Sequence, residues 1–128
     1  MGTAAVAALS GTNPAGAPME VALKDRRLVL LFLTSSCSGC RPLWDGARTQ
    51  WTDGVLLVTP SPSTESARDV AALAPAACDV LMSSEAWHAF GVTAAPWLAV
   101  VAGGLITAEG AAPTAWAQVV DRLDAGPG

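Results

Sequence analysis

Residues 28–40 read LVLLFLTSSCSGC, an apolar run followed by a polar turn and two cysteines. The apolar run, Leu28–Leu33, does not alternate with polar residues and is short, which predicts a strand buried on both faces. The pattern becomes helical from Ser38 to Trp51, so Cys37 is expected at a helix start. Unpaired N–H groups and the helix dipole there favour a thiolate, the form of cysteine that attacks disulfides. The spacing of Cys37 and Cys40 therefore predicts a redox pair.

The composition suits one domain with its own apolar core. The chain has 128 residues, of which 52% are hydrophobic, so it does not need disulfides to fold. Three cysteines, an odd number, also argue against a disulfide scaffold. The net charge is −4 and the seven basic residues are scattered, which excludes a basic patch and with it a nucleic-acid partner.

The termini carry no clear targeting signal. The longest apolar stretch, residues 94–106, is interrupted by Pro96 and two glycines and is shorter than the roughly 18 residues of a membrane span. The N-terminus lacks the basic start of a signal peptide. We expect a flexible leader over 1–18, with loop composition from residue 10, a domain over 19–125 and a tail over 126–128. The expected compartment is the cytoplasm, or an extracytoplasmic one if a signal or anchor was removed.

The order of predicted elements is β-α-β-α-β-α-β-β-α. A short strand near 19–23 precedes this series. Ser63 is expected to cap the second helix, with Glu65 in its first turn, and Pro75 to end it. Strands are predicted at 28–34, 55–59, 78–82, 97–102 and 105–108, and helices over 38–51, 63–74, 83–90 and 113–123. Gly103-Gly104 between two apolar runs indicates a hairpin. Together these predict an α/β fold, a mixed sheet with helices on both faces, in a single domain.

This order resembles the thioredoxin-like fold, and two motifs carry the resemblance. The first is the strand, C-x-x-C and helix start over residues 28–44. The second is residues 90–97, FGVTAAPW, followed by the glycine hairpin. The chain looks most similar to bacterial thioredoxin-like thiol-disulfide oxidoreductases, including those that serve cytochrome c maturation and methylamine dehydrogenase assembly. The resemblance covers about residues 19–125.

The resemblance implies a role for each matched residue. Cys37 would be the attacking thiolate and Cys40 the resolving thiol. Pro96 would be a cis proline that faces the pair and exposes the backbone of Ala95 to an extended substrate. Trp97 follows Pro96 directly, which suggests the rim of the substrate groove. The implied partners are protein disulfide or dithiol substrates and a thiol reductant or oxidant, and no cofactor is implied.

Two departures from the thioredoxin pattern concern the site itself. Ser36 stands where thioredoxins have an aromatic residue. The strand over residues 28–33 contains no acid, whereas thioredoxins bury one there to help move the proton. We therefore expect a water, or no dedicated base, to serve Cys40. Arg41 is expected either to add a positive field beside Cys40 or to be solvated.

Other functions are open on the sequence alone. The fold could be a binding or assembly module in which the cysteine pair is a structural disulfide or a vestige. Thr34 and Cys37 match the TxxC element of peroxiredoxins, but Leu30 replaces the proline usual in that family. A metal set could be drawn from both cysteines of the pair with Cys78 and His88, but its spacing matches no familiar zinc pattern, so no metal is predicted. Cys78 is expected to be a buried free thiol, and His88 a surface or packing residue.

Overall fold

The structure is a computed structural model that describes residues 6–76 and 80–124. Strand β3 (Arg27–Phe32) lies inside the sheet, and its residues from Leu28 onward are buried. Side chains alternate between the two faces along a strand, and those of residues 28–32 are all buried. Both faces of the sheet are therefore covered at this strand. The uninterrupted apolar run therefore forms the two-sided strand that the sequence predicts.

From β3 onward the elements follow the predicted order, and one strand that the sequence did not predict, β1, precedes them. The strands are β1 (Ala8–Thr12), β2 (Pro18–Ala22), β4 (Val55–Thr59), β5 (Leu81–Met82), β6 (Trp97–Ala102) and β7 (Leu105–Ala111). The α-helices are α1 (Arg41–Thr49), α2 (Ala67–Leu73), α3 (Ser84–Ala89) and α4 (Trp116–Asp124). A short 3-10 helix, Ser38–Cys40, leads directly into α1. Gly103 and Gly104 form the turn between β6 and β7 with φ of 60° and 83°, values that favour glycine.

In the described part of the chain the strands form one mixed sheet, in the order β2-β1-β5-β4-β3-β6-β7. β3 pairs parallel with β4, and β4 pairs parallel with β5. β6 runs antiparallel to β3, and β7 runs antiparallel to β6. The predicted α/β fold with a mixed sheet is therefore confirmed. Because β3 and β4 are parallel neighbours, the loops that follow them leave the same edge of the sheet.

Two apolar cores lie on opposite faces of this sheet. The first core packs α1, α2 and α4 against one face, and its helical members are Cys40, Leu43, Trp44, Ala47, Val70, Trp116 and Val119. The second core packs α3 and the N-terminal strands against the other face, with Ala86 and Phe90 from the α3 region. β3 supplies Val29 and Leu31 to the first core and Leu30 and Phe32 to the second. Helices thus cover both faces, as predicted.

Helices α1 and α4 touch closely where Trp116 lies over Gly46. A methyl group added at Gly46 would overlap with the side chain of Trp116, so only glycine fits there. The indole N–H of Trp116 also donates to the backbone oxygen of Gln50 at 2.9 Å. The C-terminal helix is therefore attached to the helix that follows the cysteine pair.

The N-terminal region differs from its prediction. β1 pairs antiparallel with β2, from Ala8 opposite Ala22 to Thr12 opposite Pro18, and joins β5 at Thr12 and Met82. The side-chain oxygen of Asn13 accepts the N–H groups of Ala15 and Ala17 at 3.0 and 2.9 Å. The loop composition of this region therefore describes only the turn between two strands. Residues 8–18, which the sequence analysis assigns to a leader, thus form β1, a turn and the start of β2, and the expected tail over 126–128 lies outside the described residues.

Helix α2 begins later than predicted. Ser66, not Ser63, is its N-cap, and the Ser66 hydroxyl accepts the N–H of Asp69 at 3.1 Å. Glu65 therefore precedes the helix and does not lie in its first turn. Of the predicted strand over 78–82, residues 81 and 82 form β5, and residues 78 and 79 are not described. Across the described ranges, no helix is long and apolar enough to cross a membrane.

Candidate active site

The cysteine loop, residues 33–40 between β3 and α1, brings Cys37 to the edge of the sheet. Cys37 has an extended backbone, with φ of −82° and ψ of 117°, and is the N-cap of the 3-10 helix. The N–H of Cys40 donates to the oxygen of Cys37 at 3.1 Å, which closes the turn between the two cysteines. Pro42 lies in the first turn of α1, where its missing N–H costs no hydrogen bond. The local sequence thus places Cys37 at the N-cap of the 3-10 helix and Cys40 at the N-cap of α1.

The Cys37 thiol is half-buried and faces the segment before β6. Its S–H donates to the backbone oxygen of Ala95, with a sulfur–oxygen distance of 3.6 Å. The Ala95–Pro96 peptide bond is cis. The Pro96 ring lies close to the turn between the cysteines, since a Cβ placed on Gly39 would be 3.7 Å from Pro96 Cδ and 3.9 Å from Cys37 Sγ. A sulfur reachable from solvent therefore lies beside an irregular backbone segment.

The Cys40 thiol is fully buried in the first core, at 0% exposure. This burial raises the pKa of Cys40 to about 12, and the hydrogen bond with Cys37 contributes to the increase. A hydrogen bond with the backbone of Thr34 lowers the pKa of Cys40, while the negative charges of Cys37 and Glu65 raise it. Both cysteines of the pair are free thiols. The two thiols thus have distinct environments, one accessible and one that holds its proton.

An acid lies beside the cysteine loop, although β3 contains none. It is Glu65 in the serine loop, residues 60–66 between β4 and α2. One oxygen of its carboxylate accepts the N–H of Ser35 at 2.9 Å, and the other accepts the Ser35 hydroxyl at 2.6 Å. The sequence analysis missed this contact, which joins residues 30 apart. The parallel order of β3 and β4 was the available signal, because it brings their following loops together.

The predicted site residues divide into two groups. Cys37, Cys40, Ala95 and Pro96 lie together, and Cys37 and Ala95 both pack against the first core. Trp97 packs against the second core on the opposite face of the sheet, because it alternates with Leu98 along β6.

The remaining candidates are placed elsewhere or not described. Arg41 is exposed and lines an open cleft of about 240 Å³ together with Ser35 and Asp69. His88 lies exposed on α3, on the side of the second core, and Cys78 lies outside the described residues. Among the residues that are described, no three His, Cys, Asp or Glu side chains are grouped as a metal site.

Comparison with solved structures shows the class of fold. The chain is similar to the exposed lipoprotein thioredoxin of Streptococcus pneumoniae, with a TM-score of 0.69 and 18% identity over 92% of this chain and 98% of that chain. It is similar to the thioredoxin domain of a Bacteroides vulgatus thiol-disulfide oxidoreductase, with a TM-score of 0.64 and 16% identity over 96% and 98%. It is also similar to a secreted Mycobacterium tuberculosis disulfide oxidoreductase, with a TM-score of 0.56 and 20% identity over 88% and 95%.

These likenesses establish that the chain has a thioredoxin-like fold. No protein-family model matches the sequence, and no curated protein matches it.

Proposed function

We propose that this protein is a thiol-disulfide oxidoreductase that exchanges disulfides with protein substrates through Cys37 and Cys40. The observation that carries the proposal is the contrast between the two thiols. Cys37 is accessible at the start of a helix, and Cys40 is fully buried one turn further on. An accessible nucleophile next to a protected partner suits a two-step exchange.

In the first step the Cys37 thiolate attacks a substrate disulfide. A bond forms between Cys37 Sγ and one substrate sulfur, the substrate S–S bond breaks, and the other substrate sulfur leaves as a thiolate. In the second step Cys40 loses its proton, which can go to that leaving thiolate, and its sulfur attacks Cys37 Sγ. The Cys37–Cys40 disulfide forms, the bond between Cys37 Sγ and the substrate sulfur breaks, and that second substrate sulfur leaves as a thiolate that takes a proton from water. Two electrons pass to the substrate, and an external dithiol reductant restores the pair; the reverse sequence oxidises a dithiol substrate.

Ala95 and Pro96 provide the proposed place for the substrate backbone. The Ala95 oxygen accepts the S–H of Cys37, and this donor disappears when Cys37 reacts. The oxygen can then accept a main-chain N–H from an extended substrate, as a strand would at a sheet edge. The Pro96 oxygen already accepts the N–H of Ala112 at 3.1 Å, so the Ala95 oxygen is the proposed acceptor for the substrate. A role for Trp97 at the groove stays a prediction, and its position on the other face does not support it.

The proposed compartment is extracytoplasmic. Two proteins of similar fold are described as an exposed lipoprotein and as secreted, which favours this alternative over the cytoplasmic expectation. Protease digestion of intact cells, with antibody detection of this chain, tests the compartment. Loss of the chain from intact cells supports the proposal, and full protection until lysis contradicts it.

The proposed exchange is tested by reduction of insulin disulfides with dithiothreitol as the final reductant. Cys37→Ser is expected to lower the rate to that of dithiothreitol alone, because the nucleophile is gone. Cys40→Ser is expected to accumulate mixed disulfides between Cys37 and insulin, detected by mass spectrometry. Cys78→Ser makes the same chemical change outside the pair and serves as the matched control, with an unchanged rate. Full turnover in both Cys37→Ser and Cys40→Ser would rule out the proposed function.

A further inference from the structure

The contact between the cysteine loop and the serine loop is made by one carboxylate. Glu65 accepts three hydrogen bonds, two from Ser35 and one from the N–H of Ser66 at 2.8 Å. Hydrogen bonds to an ionised carboxylate are shorter and about twice as strong as neutral ones. The Glu65 backbone is itself held, because its N–H donates to the oxygen of Ser61 at 3.0 Å. The carboxylate is therefore a fixed support and not a mobile surface group.

The chain between β3 and Cys37 has three such attachments. The N–H of Leu33 donates to the oxygen of Val58 at 3.0 Å, which continues the pairing with β4. The oxygen of Thr34 accepts the indole N–H of the buried Trp44 at 3.1 Å. Ser35 is held by Glu65, and it is the last of the three before Cys37. Among the described residues, the side chain of Ser36 makes no hydrogen bond, so the contact of Ser35 with Glu65 is the last attachment before Cys37.

We propose that Glu65 is a positioning residue of the redox site, whose carboxylate fixes Ser35 and thereby the direction in which Cys37 meets a substrate disulfide. This inference rests on the proposed exchange function and adds a residue from a separate loop. Attack on a disulfide needs the incoming sulfur aligned with the S–S bond, so small misplacements of Cys37 slow it.

The charge of the same carboxylate has a second consequence. Burial is the main cause of the raised pKa of Cys40, and the negative charge of Glu65 adds to it by disfavouring a thiolate there. Glu65→Gln keeps an acceptor oxygen for the Ser35 hydroxyl but removes the charge and places an amide donor against the Ser35 N–H. This substitution should therefore change the pH dependence of the step in which Cys40 reacts, which a purely structural residue would not.

The experiment follows the two steps with dithiodipyridine, an uncharged aromatic disulfide, in a Cys78→Ser background. The first thiopyridine is released when Cys37 attacks and the second when Cys40 attacks, so stopped-flow absorbance separates the two steps. Glu65→Ala is expected to slow the first release roughly tenfold, and Ser35→Ala roughly threefold. Glu65→Gln is expected to shift the pH profile of the second release to lower pH. Glu85→Ala removes an exposed carboxylate on α3 and is the matched control, with no change in either release.

Each outcome decides the inference. If Glu65→Ala does not fold, Ser35→Ala and Glu65→Gln carry the test, since each removes only part of the contact. First-release rates within twofold of the parent in both of these variants, with an unmoved second-release profile, overturn the inference even if the melting temperature falls. If the parent itself releases no thiopyridine beyond the Cys37→Ser background, it is the proposed exchange function that fails.

Discussion

The cysteine loop and the serine loop leave neighbouring parallel strands at the same edge of the sheet, yet they are organised differently. The cysteine loop contains the two thiols, and it is bonded to residues outside itself: the Thr34 oxygen accepts from Trp44, and Ser35 donates to Glu65. The serine loop bonds mostly within itself and to the start of α3, through Ser61 with Ser63 and Ser84. The difference indicates that contacts with other segments fix the conformation of the cysteine loop. The serine loop is fixed mostly by its own hydrogen bonds and can therefore hold the cysteine loop in place.

Trp44→Phe removes one of the outside contacts of the cysteine loop, and it has the largest expected effect on stability and on the rate of attack by Cys37. The change removes the indole N–H from the Thr34 oxygen and shortens a buried side chain, so it should lower the free energy of unfolding by about 2–3 kcal/mol. It should also slow the attack by Cys37, because the cysteine loop loses an attachment. Chemical denaturation and the stopped-flow assay measure the two effects.

Trp116→Phe is the control for that substitution. Trp116 is also buried and donates to a backbone oxygen, but that oxygen belongs to Gln50 at the C-terminal end of α1, away from the cysteine loop. A similar loss of stability with an unchanged rate is expected. If both variants slow the attack equally, the attachment at Thr34 has no special part in positioning Cys37.

The pH dependence of stability gives an intermediate effect. The pKa of Cys40 rises from 9.0 to about 12 on folding, so above pH 9 the unfolded chain binds fewer protons than the folded one. The stabilising effect is complete below pH 9 and is lost as the pH rises toward 12. The expected slope is up to about 1.4 kcal/mol lost per pH unit. The chain has no Tyr, and Lys24 is its one lysine, so few other side chains titrate in this range.

Urea denaturation of the reduced protein between pH 8 and pH 10.5 measures this slope. Cys40→Ala should be less stable at every pH because of the cavity, but its stability should depend less on pH. Parallel curves for the two proteins would show that Cys40 keeps an ordinary pKa in the folded state. The serine loop contributes nothing to the slope except through the charge of Glu65.

Ser66→Ala gives the smallest expected effect on stability and rate, and it tests whether the serine loop helps to position Cys37. The hydroxyl of Ser66 caps α2, and its loss should lower the free energy of unfolding by about 1 kcal/mol. Because the Ser66 N–H also holds Glu65, a looser cap should slow the attack by Cys37 slightly. The measurement is the same stopped-flow rate, with thermal denaturation alongside.

Ser83→Ala is the matched control for that cap. Ser83 caps α3 with the same geometry, accepting the N–H of Ala86 at 3.1 Å, on the side of the second core. It should lose at least as much stability, since Ser83 is buried, with no change in rate. A slower attack in Ser83→Ala would mean that the rate does not depend specifically on the Ser66 cap.

Much of the fold could be predicted because its signals are local. The run from Leu28 to Leu33 has no polar residue, which only a doubly buried strand explains among the short elements. Gly103-Gly104 supplies the positive φ values that the hairpin needs. The position of Cys37 at a helix start follows from the change of pattern at Ser38. Each of these depends on neighbours along the chain.

Some missed features depend on contacts between residues far apart in sequence. Others depend on a choice between neighbouring residues that could serve equally well, such as two serines that could each cap a helix. The serine loop offers several capping residues, and composition cannot select Ser66 over Ser63. The contact of Glu65 with Ser35 follows from that choice, because a cap at Ser63 would place Glu65 inside the helix. The strand β1 has few apolar residues and takes its register from β2 and β5. Such tertiary pairing overrides weak local propensity.

The closeness of Gly46 and Trp116 has a consequence for how this sequence can vary. A larger residue at position 46 would need glycine at position 116, because a side chain at 46 would overlap with the Cβ of residue 116, which every residue except glycine carries. Among related proteins, the two positions should therefore change together, so that one member of the pair is always glycine. Paired substitutions of this kind would show that α4 and α1, which pack together, have also evolved together.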